Sequence, residues 1–118
     1  MYLGEDLHAN SNRSVVMRAI AALGPAIEVA DVDHPSDDVE GTLARNIYQR
    51  HIILGREDAG RAGGIISGLT ARVVQNSCEI ANTNDLEALT GELIEILRHV
   101  ADLLAAAGEL LRAGEIVM

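Results

Sequence analysis

Several groups of side chains in this sequence have the types and spacing that chemistry requires. Glu95, His99 and Asp102 fall at i, i+4 and i+7, so on a helix all three share one side. Carboxylates and an imidazole so placed can ligate a metal ion inside a helical bundle. The Glu-x-x-His pairs of dinuclear carboxylate bundles are missing, so a solvated charged edge is the competing reading. The stretch DVDHPSDD gathers Asp31, Asp33, Asp37 and Asp38 around His34. It offers oxygen and nitrogen donors for a divalent cation, without the ligand spacing and central glycine of a calcium loop. Its default reading is a solvated acidic connector, able to dock on a basic surface of a partner. Cys78 has no histidine near it in sequence and reads as a small core residue. No bound metal and no cofactor are expected.

His51 lies in the run RHIILG, among apolar residues. With Gly55 four residues after the histidine, this run resembles histidine phosphotransfer domains, helical bundles of similar size. The run NDLEALTGELIEIL is similar to the start of that family's later helices. Leu54 stands where the family carries a lysine. The resemblance implies that His51 accepts a phosphoryl group at Nε2, with small neighbours that let a receiver domain dock. A partly buried structural imidazole is the alternative.

The glycine-rich stretch GRAGGIISG, residues 60 to 68, raises a question of packing. It has neither the spacing of a dinucleotide-binding fingerprint nor a clear preceding strand. Gly60, Gly64 and Gly68 recur every four residues. On a helix they would line one groove and admit a neighbouring backbone. A mobile connector is the other reading. The spacing favours the helix face, at least from Gly64 onward.

Composition removes whole classes of function. The chain has 118 residues and a net charge of −9. Phosphate backbones and anionic membrane surfaces would be repelled, so neither nucleic acid nor membrane is expected as a partner. No apolar run approaches the ~20 residues of a membrane span, and the first residues do not form a signal peptide. A cytoplasmic location follows as the expectation, and a single cysteine agrees with it. All nine basic residues are arginine. Without lysine, a Walker phosphate loop, Schiff-base chemistry and serine–lysine acylation are unavailable to this chain alone.

The elements that must position these groups read as helices. Residues 10–24 form a short helix whose start Asn10, Ser11 or Asn12 can cap and which Gly24 and Pro25 stop. Residues 26–32 allow a strand, but no other segment clearly alternates to pair with it, so a helical turn or irregular connector is preferred. Ser36 can cap a second helix in which Val39, Leu43, Ile47, His51 and Leu54 recur every three or four residues. A third helix is placed within residues 57–81. Asn84 and Glu87 form a capping-box-like start for a fourth. Its stripe includes Leu86, Leu89, Leu93, Ile96, Leu97, Val100, Leu103 and Leu104.

The expected fold is therefore all-α: a single helical domain, residues 1–118, of about four helices, possibly intertwined as a dimer. The expected function is a non-enzymatic helical interaction module, a regulator or adaptor that self-associates. Its interface would run through Gly60, Gly64, Gly68, Leu86, Leu93, Leu97, Val100 and Leu104. Phosphotransfer through His51 and a metal-dependent helical enzyme are the alternatives.

Overall fold

The computed structural model describes residues 1–31, 33 and 37–118. It overturns the all-α bundle. The chain is a mixed α/β fold, with three helices and three separate two-stranded antiparallel sheets among the described residues. It divides into two compact units: residues 1–23 with 58–118, and residues 24–57.

In the first unit, β1 (Tyr2–Leu3) pairs with β2 (Ile20–Ala22). Between them lies α1 (Arg13–Ala19), whose start is capped by the Asn12 carboxamide accepting from the Val15 amide at 3.1 Å. The helix ends at Ile20, before the expected stop at Gly24. The reason is pairing: Ile20 turns extended and joins β1, so its side chain enters the core from a strand. The longest helix, α3 (Leu93–Ala106), begins eight residues later than Asp85. Glu87 does serve its start, but from outside: its carboxylate accepts the Leu93 amide at 2.7 Å.

Leu3, Leu7, Val16, Ala19, Ile20, Ile94, Leu97, Ala101, Leu111 and Val117 form one buried cluster. The segment after α3 closes it. Leu7 bridges Leu111, Tyr2 bridges Ile116, and the Gly114 amide donates to the Leu3 carbonyl at 2.8 Å. Arg13 of α1 hydrogen-bonds and pairs with Glu92, at the edge of α3. Its guanidinium holds the Glu92 carboxyl below its ordinary value, and the carboxylate in turn raises Arg13.

The expected third helix, within residues 57–81, does not form. Residues 71–83 are a hairpin, β5 (Ala71–Gln75) and β6 (Cys78–Thr83). Its two-residue turn is Asn76–Ser77, with φ of 51° and 64°. Two successive positive φ values match the turn twist that antiparallel strands favour, and Asn tolerates that region well.

In the second unit, β3 (Ala26–Ala30) pairs with β4 (Gln49–Leu54). Between them α2 (Val39–Ala44) is capped by Asp38, whose carboxylate accepts the Gly41 amide at 2.9 Å. Ser36, the cap expected from sequence, lies outside the described residues. So do His34, at the centre of the acidic cluster, and Val32. The expected second helix breaks after Ala44. Asn46, Ile47 and Tyr48 take φ of 51°, 54° and 58°, a left-handed turn that no right-handed helix can cross.

Candidate interface

The candidate interface is the β3–β4 ribbon. Its register places Ile27 opposite Ile53 and Val29 opposite His51. Cross-strand partners share a face, so these four side chains make one surface. Ala26 opposite Leu54 and Glu28 opposite Ile52 make the other. Large aliphatics therefore stand on both faces, and all are exposed: Ile27 by 62%, Ile53 by 56% and Ile52 by 50%. Strands with apolar residues on both sides are the kind found inside covered sheets. Among the described residues no third strand pairs with this ribbon.

Local chemistry explains why the ribbon forms here. At one end the Gly55 amide donates to the Pro25 carbonyl at 2.8 Å. A Cβ at residue 55 would come within 2.5 Å of the Pro25 ring, so glycine permits the two chains to meet. At the other end the Asp31 amide donates to the Tyr48 carbonyl at 3.0 Å, and the Asp31 carboxylate pairs with Arg50 at 3.0 Å. Arg50 is the extra residue of a bulge: Val29 faces His51, whereas Ala30 faces Gln49. Tyr48 is buried, with the Arg45 guanidinium 5.8 Å from its ring centre.

The β5–β6 hairpin has the same character within the other unit. Val73, Val74 and Ile80 are 54–59% exposed, and Ile80 is again a bulge residue, between Ala81 opposite Val73 and Glu79 opposite Val74. Cys78 sits exposed beside its turn, not in a core.

The residues singled out from sequence fall elsewhere. His51 is exposed, but on a strand. The helical bundle on which the phosphotransfer resemblance rests is therefore not the setting of this histidine. Gly60 lies in a short 3-10 turn, and Gly64 and Gly68 have φ of +77° and +74°. The three glycines form no helix groove; residues 62–70 are loop and turns. Leu86 precedes α3 and is half-buried. Leu97 is fully buried in the unit's own core, and Val100 and Leu104 pack against that core. Leu93 is half-buried at the start of the helix. The stripe expected to meet another chain thus covers α1, β1 and β2 at home.

Glu95, His99 and Asp102 do share α3 and are exposed. Each acid has another engagement. Glu95 pairs with Arg98 at 2.8 Å, and Asp102 accepts the Asn10 amide at 2.8 Å. Among the described residues no group of three His, Cys, Asp or Glu side chains is arranged to hold a metal ion. No described helix is long and apolar enough to cross a membrane.

Sequence reasoning missed Ile27, Val29, Ile52 and Ile53. A signal was present in the punctuation: Pro25 and Gly55 bracket two short runs of strand formers, AIEVA and QRHIIL. The second run does not alternate, because both its faces are apolar. No protein-family model matches the chain, and it matches no curated protein.

Proposed function

We propose that this chain is an interaction protein that acts by self-association, with the β3–β4 ribbon as its contact surface. The observation that supports it is the exposure of Ile27, Val29 and Ile53 on one uncharged face of a ribbon that pairs with no third strand among the described residues. A two-stranded ribbon alone is marginal in water. Covering its apolar face stabilises it.

The energetics predict a weak assembly. Burying an aliphatic side chain fully is worth about 1.5–3 kcal/mol, so finishing the burial of a half-exposed one contributes about 1 kcal/mol. A symmetric pair brings six such side chains, or about 6 kcal/mol. The loss of translational and rotational freedom costs about 4–15 kcal/mol. The balance is close, and backbone hydrogen bonds at the open strand edges must add to it. Burial alone leaves at most about 2 kcal/mol, so a dissociation constant of hundreds of micromolar, about 5 kcal/mol, needs at least about 3 kcal/mol from those edge bonds.

The chain carries a net charge of −9, so like copies repel. They approach most readily through a surface without charge. The acid-rich segment from Glu28 to Glu40, which has no basic residue, suits a further protein partner with a basic surface. The net acidity argues against nucleic acid and anionic membranes as partners, and the lone cysteine fits a cytoplasmic setting.

Sedimentation velocity over a concentration series tests the reading. The wild type should shift toward a dimer as concentration rises to several hundred micromolar. Ile53→Arg should remove that shift while leaving the far-UV circular dichroism unchanged. A wild type that stays monomeric throughout refutes the proposal.

A further inference from the structure

We propose that the outer edge of β3 takes up an extended basic segment of a partner protein as a third strand, with a lysine or arginine opposite Glu28. Self-association uses the Ile27, Val29 and Ile53 face and can draw its edge bonds from β4, so neither reading depends on the other.

The register fixes which main-chain groups are open. In an antiparallel pair, opposed residues alternate between those that exchange hydrogen bonds and those whose groups point outward. The Gly55 amide donates to the Pro25 carbonyl at one end, and the Asp31 amide to the Tyr48 carbonyl at the other. Between these ends the bonded pairs are Ile27 with Ile53 and Val29 with His51. Ala26, Glu28 and Ala30 therefore turn their amides and carbonyls away from β4. Every residue of β3 is exposed. Among the described residues no other strand lies along it, and no backbone bond from outside the ribbon reaches those three residues. Such an edge is a template for strand addition.

Charge selects the occupant. Glu28 stands opposite Ile52, with Ala26 and Leu54 beside it on the same face. Among the described residues its carboxylate has no ion pair. A strand added to β3 brings its own side chains over that carboxylate. An apolar cover alone would strip its water; a cation directly opposite keeps it paired. Six acids and no arginine lie from Glu28 to Glu40, which attracts a basic segment over a longer range. β4 offers the reverse, since Gln49–Leu54 carries Arg50 and no acid. A second copy suits this edge poorly. Paired about Glu28, it would set two carboxylates against each other, and the net charge of −9 adds to the repulsion.

Amide NMR titration of the dilute whole chain tests this. The probes are a capped peptide, Thr-Val-Thr-Lys-Thr-Val-Thr, and its counterpart with glutamate in place of lysine. The lysine peptide should shift the Ala26, Glu28 and Ala30 amides saturably at millimolar concentration, and slow their hydrogen exchange. It should bind about five- to tenfold more tightly than the glutamate peptide, a gap that added salt narrows. Glu28→Gln should remove the preference, and Glu28→Arg should reverse it. Absence of a saturable shift at these amides with either peptide overturns the edge site. Equal binding of the two peptides by the wild type overturns the charge recognition, and this comparison needs no variant to fold. Shifts centred on Ile52 and Leu54 instead would put the added strand on β4 and overturn the assignment to β3. A Glu28→Arg variant that folds and still prefers the lysine peptide overturns the role of Glu28.

Discussion

Replacing Gly64 with alanine separates two structures for the glycine-rich stretch by the sign of its effect. On a helix face, Gly→Ala gains about 0.8–1 kcal/mol from propensity. In the structure, Gly64 has φ of +77°, where an L side chain costs about 1–2 kcal/mol. Its Cβ would also meet Cδ1 of Ile94 at 3.2 Å and Cδ1 of Ile20 at 3.3 Å. Both isoleucines are buried, 4% and 1% exposed, so neither has open space to retreat into. Relieving that contact adds a fraction of the 1–3 kcal/mol typical of an overpacked core. The stiffer unfolded chain returns about 0.4–1 kcal/mol. The net expectation is a loss of about 1–2 kcal/mol. With a urea dependence of about 2 kcal/mol per molar, the midpoint falls by about 0.5–1 M. Gly68→Ala is the internal control: its φ is +74°, but nothing lies within 4 Å of its Cβ. It should lose less than Gly64→Ala. Urea titration followed by circular dichroism measures both. A Gly64→Ala variant more stable than wild type would refute the left-handed loop and restore the helix face.

Other perturbations test the rest of the architecture. Leu97 is fully buried, so Leu97→Ala should cost about 2–5 kcal/mol, read as a large drop in thermal midpoint. Leu103, 57% exposed on the same helix, should cost little more than its propensity when changed to alanine. Ile47 holds φ of 54° and is exposed, so Ile47→Asn should stabilise residues 24–57 by about 1 kcal/mol, since Asn tolerates that conformation. Slower hydrogen exchange of the β4 amides is the readout; faster exchange contradicts the left-handed turn. Glu92→Gln should lower stability at neutral pH. Arg13 lowers the Glu92 carboxyl below its ordinary 4.5, so its contribution is complete above that value and fades as pH falls through the lowered one. The two proteins should therefore converge in strong acid; a gap that persists there assigns the loss to packing.

How much of this was legible in the sequence depended on whether a segment's partner was local. The first helix was, because its signals are side chains within it: Asn12 caps it and Val16 faces inward. Part of the expected α3 stripe faces the core, at Leu97, Val100 and Leu104, whereas Leu86 and Leu89 precede the helix and Leu89 and Leu103 are exposed. Periodicity says that Leu97 and Val100 are covered, not by what, and the cover comes from α1 and the segments around Leu7 and Leu111 of the same chain. The strand at residues 26–30 was visible but lacked a recognisable partner. QRHIIL reads equally as part of a helical stripe, since His51 and Leu54 are three apart. Only the left-handed turn at residues 46–48 decides between the two, and Ile47 is an unexpected residue to host it. Asn76–Ser77 was the clearest overlooked sign: two turn formers between short apolar runs specify a hairpin.

The way the segments around residues 3–7 and 111–117 hold each other has a consequence for the order of folding. The β5–β6 hairpin closes across two residues, and its pairing can form within microseconds. The core cannot. Ile20 must find Ile94 across roughly 70 intervening residues, a closure costing about 3 kcal/mol more than that of the hairpin. During synthesis residues 3–22 emerge well before residues 94–117, their eventual partners. For that interval Leu3, Leu7, Val16 and Ile20 are uncovered, while the ribbons already display Ile53 and Val73. The growing chain is then at its most adhesive, and soluble yield should depend strongly on temperature and on the rate of synthesis.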